Sequence, residues 1–265
     1  MPNIDLTQLL AVARETAVLA GDLIHEKWQQ PRQTSSKGFR DLVTDADLAA
    51  QRLITDRIQR AFPSHGFLPE EENADLPTEG KVIWVIDPVD GTTNYSRQLP
   101  VFCVSIAAAV PGVGPVVGVV YDPLRQECFS GAKGEGAWLN GRSLQVSPVT
   151  DLGQAIIGLD WSHSQTLRQS TLDSLPRFAH QVYTVRAFGS AALALAWVAA
   201  GRLDGYLNYN LKPWDTAAAA LLIAEAGGRL SHVAANAPPI PWAEKNQSAF
   251  GSNGRIHHDF LTKIT

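Results

Sequence analysis

Lys81-Val-Ile-Trp-Val-Ile-Asp87-Pro88-Val89-Asp90-Gly91-Thr92-Thr93-Asn94 is the stretch from which the rest of the chain is read. It opens as an apolar, β-branched run, which predicts a buried strand over Lys81 to Ile86. Two carboxylates three residues apart follow at once. Pro88 fixes the backbone between them and Gly91 permits close approach, so Asp87 and Asp90 can converge on one point where the strand ends. Gly91, Thr92 and Thr93 then offer successive backbone N–H donors, and at a helix N-terminus such donors bind a phosphate. Carboxylates alone repel phosphate, whereas carboxylates holding Mg²⁺ beside those amides attract it. The competing reading is an Asx-turn, because Asp, Pro, Gly, Thr and Asn are all turn formers.

Upstream, Asn3 to Gln30 carries Leu6, Leu9, Leu10, Ala13, Ala17, Ala20, Ile24 and Trp28 at helical spacing, with Pro31 as its stop. The polar stretch Gln33 to Arg40 is expected to be a mobile loop. A second helix is expected from Asp45 to Ala61, with Thr44 as N-cap, Asp47 completing a capping box and Pro63 beyond its end. Downstream, Phe102–Val110, Val116–Tyr121, Glu127–Gly131 and Ala137–Val146 read as strands of a largely antiparallel sheet. From Ala155 the rhythm changes. Strands at 155–159, 182–186 and 205–208 alternate with helices at 167–178, 190–200 and 215–226, and two strands and a helix over 256–263 follow. Alternation of this kind implies an α/β layer. The expected fold class is α/β, or an α+β sandwich, divided near Pro148 into an α+β half (1–147) and an α/β half (148–265).

Other acids could join Asp87 and Asp90. Glu70, Glu71 and Glu72 form a run after Pro69, for which a solvated acidic loop is the default. Asp41, Asp45 and Asp47 surround Thr44, where helix capping is the simpler role. Asp215 follows Trp214 at the start of an Ala-rich helix. All these acids sit at element starts, beside strands that could assemble one crevice. Rival chemistries find less support. Gly189-Ser190-Ala191 lacks the Gly-x-Ser-x-Gly elbow. Gly131, Gly134 and Gly136 fit a hairpin better than a dinucleotide loop. There is no Walker A sequence and no Cys/His zinc spacing.

The 265 residues are 45% apolar and 18% charged, which is globular composition. A net charge of −4 argues against a nucleic-acid partner. Cys103 and Cys128 are the two cysteines, which fits a reducing compartment. The apolar runs Val101–Val110 and Ala191–Ala200 are shorter than the ~20 residues that span a bilayer. The N-terminus has no signal-peptide core. A cytoplasmic protein without a membrane partner is expected.

Four segments in order resemble the inositol monophosphatase family of Mg²⁺-dependent, lithium-sensitive phosphatases. They are Asp41-Leu-Val-Thr-Asp-Ala-Asp47, Glu70-Glu71, Trp84 to Asn94, and Trp214-Asp-Thr-Ala-Ala-Ala-Ala-Leu-Leu-Ile-Ala-Glu-Ala-Gly-Gly228. Arg186 with Gly189-Ser190-Ala191, and the Lys133 to Gly141 hairpin, are also similar to the family. The resemblance implies a layered αβαβα sandwich, usually a homodimer, with two to three Mg²⁺ per site. It implies that Glu71, Asp87 and the Val89 carbonyl hold one ion, and that Asp87, Asp90 and Asp215 hold a second. Asp47 and Thr92 would position the attacking water, with Glu71 sharing the catalytic role. Gly91, Thr92 and Thr93 would bind the phosphate, and Ser190, Ala191, Asn208 and Asp215 the rest of the substrate. The implied activity is hydrolysis of inositol 1-phosphate or a similar polyol or sugar phosphate. Histidinol phosphate, fructose 1,6-bisphosphate and a 3′-phosphonucleotide are alternatives, and a non-catalytic regulatory partner is a further one. The chain departs from the family pattern at Pro69, at Glu72, at Lys37 (an approximate match only) and at Asn208. At the last position animal inositol phosphatases place a glutamate that contacts inositol hydroxyls.

Overall fold

The computed structural model describes residues 4–30, 34–38, 41–73, 75–233 and 240–264. The first elements are α1 (Leu6–Trp28), the hairpin β1 (Thr34–Gly38) and β2 (Asp41–Thr44), and α2 (Asp45–Ala61). Next come β3 (Gly66–Pro69), β4 (Ile83–Asp90), the short α3 (Thr92–Ser96), β5 (Cys103–Val110) and β6 (Gly114–Asp122). They are followed by β7 (Glu127–Ala132), β8 (Gly136–Leu139) and β9 (Arg142–Ser143). The chain continues through β10 (Ile156–Leu159), α4 (Gln165–Phe178), β11 (Thr184–Arg186), α5 (Ala191–Ala199) and β12 (Gly205–Leu211). It ends with α6 (Pro213–Glu225), β13 (Arg229–His232), β14 (Gln247–Ser252) and α7 (His257–Ile264).

Two sheets and three helix layers alternate. Strands β3 to β9 form one sheet in sequence order, with β3 parallel to β4 and every later pair antiparallel. The second sheet has the order β11-β10-β12-β14-β13, parallel among its first three strands and antiparallel after them. Helices α1 and α2 cover the outer face of the first sheet through Ile24, Ile54, Trp84 and Phe102. Helices α5 and α6 fill the space between the sheets, packing with Val120, Phe129 and Tyr206. Helices α4 and α7 close the far side around Phe178, Phe250 and Phe260. The result is the expected αβαβα sandwich. Every residue of α5 is buried, which is why its sequence is apolar on all sides.

Most elements fall where the sequence puts them. Thr44 caps α2 and Asp47 reaches back to the Thr44 N–H at 2.9 Å, so the capping box is formed. Four expectations are corrected. Residues 34–38, read as loop, form β1, because Ser35 and Ser36 pair with Val43 and Leu42 through the backbone. The single strand expected over 137–146 is broken into β8 and β9 at Asn140 and Gly141, whose φ values of 49° and 82° turn the chain. Strand β4 does not stop at Ile86 but runs on through Asp90. Strand β3 and helix α3 lie where no element was expected.

Candidate metal centre

On a flat strand, residues three apart point to opposite faces. The pairing of β4 with β5 slips between Asp87, opposite Ser105, and Asp90, opposite Cys103. This irregularity turns both carboxylates toward one point. Asp215 arrives from the first turn of α6, where Ser105 Oγ donates to the Trp214 carbonyl at 3.1 Å and ties the helix start to β5. Asp87, Asp90 and Asp215 each place a carboxylate oxygen within 4.8 Å of the others.

Each of the three is held. The Val89 N–H donates to Asp87 Oδ1 at 3.0 Å. Lys212 N–H donates to Asp215 Oδ2 at 2.7 Å. Asp90 sits under the start of α5: Oδ1 accepts from Ala191 N–H at 3.2 Å, and Oδ2 from Ala192 N–H at 2.8 Å and from Ser190 Oγ. These donors favour its charged form, yet burial outweighs them and raises its pKa. Burial also pushes Asp87 and Asp215 well up, with Glu70, Asp90 and Asp215 adding repulsion at Asp87, and Asp90 and Glu70 at Asp215. Three carboxylates whose ionisation is disfavoured in this way call for a cation.

Beside them, Thr92 Oγ1 lies 3.0 Å from both Asp47 Oδ1 and the Val89 carbonyl, each of which can accept its proton. Asp47 is fully buried at the start of α2, and burial raises its pKa to about 6 despite bonds from Thr44 and Thr92. The capping role expected of Asp47 and its contact with Thr92 coexist, one on each oxygen. Gly91 adopts φ 97°, and a Cβ there would stand 3.0 Å from the Val101 carbonyl and 3.1 Å from that of Gly189. Only glycine fits, and it starts α3, whose first residues line the cavity with it.

The acidic run behaves unevenly. Glu70, Glu71 and Glu72 all line a cavity of about 1010 Å³ that also reaches Asp215. Glu71 is buried and its backbone is clasped by Gln51, whose Oε1 accepts from the Glu71 N–H and whose Nε2 donates to the Glu71 carbonyl. Its charge bears on Asp47, whereas Glu70 is the glutamate that meets the Asp87 carboxyl. Glu71 stands outside the three-carboxylate cluster. An adjoining cavity of about 300 Å³ holds Asp90, residues 91–93, Ser190, Ala191, Asn208 and Asp215. Ser190 is spent on Asp90. Asn208 is buried, donates to the Tyr206 hydroxyl at 3.2 Å and accepts from the Asn210 N–H at 3.0 Å.

Several residues of this wall escaped the sequence reading. Asp160 follows β10; its oxygens accept from the Phe188 and Gly189 N–H groups and from the Tyr206 hydroxyl, and burial raises its pKa to about 6. Asn94 ties the same turn from the other side, donating to the carbonyls of Phe188 and Val101. A lone acid after a strand was the one available signal for Asp160. Nothing local marks Tyr206, Trp161 or Arg168, which join the wall only through tertiary packing.

The donor set is all oxygen and anionic, which suits a hard divalent cation such as Mg²⁺ and not a thiolate- or imidazole-seeking metal. Among the described residues no helix is long and apolar enough to cross a membrane.

Residues 5–265 match the model of the inositol monophosphatase family. The chain is 41% identical over 226 residues to the Nus factor SuhB of Escherichia coli, covering 84% of each. It is 39% identical over 260 residues to the inositol-1-monophosphatase of Synechocystis, covering 96% of this chain and 88% of that one. A solved IMPase/NADP phosphatase complexed with Mg²⁺ and phosphate superposes with a TM-score of 0.83 at 26% identity, covering 97% and 95%. With that fold and that match along its length, the chain belongs to the inositol monophosphatase family and is a phosphatase.

Proposed function

We propose that the protein is a Mg²⁺-dependent phosphomonoesterase that hydrolyses inositol 1-phosphate or a similar polyol or sugar phosphate. The observation that carries this reading is the meeting of Asp87, Asp90 and Asp215 within 4.8 Å, beside the Thr92–Asp47 pair and the start of α3. Asp87, Asp90 and Asp215 would hold one Mg²⁺, and Glu71, Asp87 and the Val89 carbonyl a second. Bound there, Mg²⁺ supplies charge neutralisation at the phosphate and a lowered pKa for water.

The chain's own groups do the rest. The backbone amides of residues 91–93 orient the phosphoryl oxygens. Thr92 Oγ1, with its proton given to Asp47, accepts a hydrogen bond from the attacking water and points its lone pair away from Asp47. Asp47, raised to about 6, is suited to draw a proton through Thr92 near neutral pH. The water oxygen bonds to phosphorus, the ester P–O bond breaks, and the alcohol leaves with a proton, giving inorganic phosphate. The α+β half, 1–147, would carry most ligands and the α/β half, 148–265, would bring Asp215 and the alcohol contacts. Dimerisation belongs to the same proposal, with the exposed Leu99 and Tyr183 as candidate contacts.

Phosphate release from inositol 1-phosphate, histidinol phosphate, fructose 1,6-bisphosphate and a 3′-phosphonucleotide, with Mg²⁺ and with EDTA, tests the proposal. Turnover that requires Mg²⁺ is expected, and undiminished turnover in EDTA refutes the metal role. A regulatory reading draws on the E. coli relative's name as a Nus factor. Retention of Glu71, Asp87, Asp90, Thr92 and Asp215 favours catalysis, since a purely regulatory chain has no chemical need of all five.

A further inference from the structure

Asp160 stands just past the end of β10, buried, and three donors face it. Its Oδ1 accepts from the Phe188 N–H at 2.9 Å and from the Gly189 N–H at 2.8 Å. Its Oδ2 accepts from the Tyr206 hydroxyl at 2.9 Å. The two oxygens serve different parts of the 300 Å³ cavity. The Phe188–Gly189 turn leads directly into Ser190, Ala191 and Ala192, which hold Asp90. Gly189 makes that turn at φ 72°, and a Cβ there would stand 2.9 Å from Asn94 Nδ2. The same Asn94 nitrogen donates to the Phe188 carbonyl at 2.6 Å, so the turn is gripped from both sides. On the Oδ2 side, a hydroxyl that gives its one proton to Asp160 can only accept from its other neighbour. Asn208 Nδ2 donates to it at 3.2 Å, and Asn208 Oδ1 accepts from the Asn210 N–H at 3.0 Å. A backbone N–H bonds the amide through its oxygen, so the Asn208 side chain has one orientation.

We propose that Asp160 is a positioning residue with two separable roles: through Oδ1 it sets the turn that clamps Asp90, and through Oδ2 and Tyr206 it sets which face of the Asn208 amide the substrate alcohol meets. The first role bears on metal binding and the second on the choice of alcohol, and both rest on the phosphomonoesterase reading of the site. Asp160→Asn separates them. Its Oδ1 still accepts from the Phe188 and Gly189 amides, but its new Nδ2 hydrogens face the Tyr206 oxygen. The Tyr206 proton must then turn toward Asn208 Nδ2, where donor meets donor. Flipping Asn208 moves the same conflict to the Asn210 N–H. Asn208 therefore loses its fixed orientation while the clamp on Asp90 persists.

Four variants read the two roles apart at pH 8, where Asp160, with its pKa pushed up to about 6, is ionised. Titration calorimetry gives Mg²⁺ affinity per folded molecule. Selectivity is the ratio of kcat/KM for inositol 1-phosphate to that for phenyl phosphate, whose alcohol carries no further hydroxyl. Asp160→Ala should weaken Mg²⁺ binding roughly tenfold, the scale for a group that orients a metal ligand, and should lower the ratio as well. Asn94→Ala releases the turn from its other side, so it should weaken Mg²⁺ binding in the same way and stands in if Asp160→Ala does not fold. Asp160→Asn and Tyr206→Phe should each lower the ratio ~3- to 10-fold, the scale of one hydrogen bond, with Mg²⁺ affinity within about twofold of wild type. A merely structural Asp160 would lower the melting temperature and leave the affinity and the ratio of the folded protein unmoved, which overturns the proposal. Mg²⁺ binding weakened as much in Asp160→Asn as in Asp160→Ala, or a ratio unmoved in Tyr206→Phe, also overturns it while the phosphatase reading stands. Absence of wild-type turnover on every ester instead overturns the phosphomonoesterase reading, and the proposal with it.

Discussion

Thr92 Oγ1 has one proton and two acceptors at 3.0 Å, so its orientation is set by Asp47 and Val89 before any substrate arrives. Thr92→Val keeps the shape and removes the hydroxyl. Asp47 retains its Thr44 contacts, so the fold should survive. Turnover should fall ~100-fold, close to 2.7 kcal/mol of transition-state stabilisation, with little change in KM. Steady-state kinetics alongside circular dichroism checks this, and a variant above a tenth of wild-type turnover would show that Thr92 only starts a helix. Asn208 faces the cavity and not solvent, which makes it a probe of the alcohol. Asn208→Glu should shift the kcat/KM ratio between inositol 1-phosphate and glycerol 2-phosphate ~3- to 10-fold, the scale of one hydrogen bond. A constant ratio across polyol phosphates would remove Asn208 from the recognition wall. Asp87 and Asp90 are legible because strand end, proline, glycine and paired aspartates lie within eight consecutive residues. Asp160 was not, since one aspartate after a strand looks like any turn residue until Phe188 and Gly189 fold back onto it.

At the scale of elements, the centre depends on how closely α6 lies on the first sheet. A Cβ added at Gly118 on β6 would stand 2.6 Å from the Ala218 carbonyl and 3.0 Å from its Cα, both backbone atoms of α6. Backbone cannot rotate away, so Gly118→Ala must move the helix that carries Asp215. A destabilisation of ~1–3 kcal/mol is expected from overpacking of this kind, with a loss of turnover beyond the loss of folded protein. Urea denaturation together with activity per folded molecule measures both, and an unchanged midpoint would mean that the helix is free to shift. The same close packing explains what the sequence reveals of the elements. The helices α1 and α2 announce themselves by amphipathic spacing and caps, and α5 by an unbroken apolar run. Strand β1 has no apolar residue and is held to β2 by backbone pairing, so no alternation betrays it. Strand β3 is four residues ending in proline, and α3 is a single turn made of turn-forming residues; both take their form from β4 and its neighbours.

Across the whole molecule, the buried acids link folding to protons and to metal. Without metal, burial raises the pKa values of Asp87, Asp90 and Asp215, with repulsion from neighbouring acids adding to it at Asp87 and Asp215, and Asp47 and Asp160 rise to about 6. A raised folded-state pKa means that the folded chain binds more protons than the unfolded one, so stability grows as pH falls through the raised values toward the unfolded ones. His257 has the opposite sign. Lodged between Ser231 and Ser252, its pKa drops from 6.5 to about 4, so acidification below 6.5 protonates the unfolded chain first and lowers stability. His65, whose pKa burial also lowers, acts in the same direction. Between pH 7.5 and 6.5 an unfolded imidazole goes only from nearly neutral to half protonated, so the two histidines oppose the carboxylates weakly over that range. In EDTA the melting temperature should therefore rise as pH is lowered from 7.5 to 6.5. Mg²⁺ should do at pH 7.5 what protons do at 6.5, since it binds the folded acids and not the dispersed ones. Its stabilisation should grow with concentration, reaching ~2.7 kcal/mol at a hundredfold excess over the dissociation constant. Saturating Mg²⁺ should also flatten the pH dependence, because the ion displaces the protons. Asp215→Asn removes one of the three converging charges, so it should raise the metal-free melting temperature at pH 7.5 and shrink the Mg²⁺ response. Scanning calorimetry of both proteins, with EDTA and with Mg²⁺, reads all of these shifts. A metal-free melting temperature that falls on acidification to pH 6.5, or a Mg²⁺ response undiminished in Asp215→Asn, would mean that the three carboxylates are not where the protein's charge strain is stored.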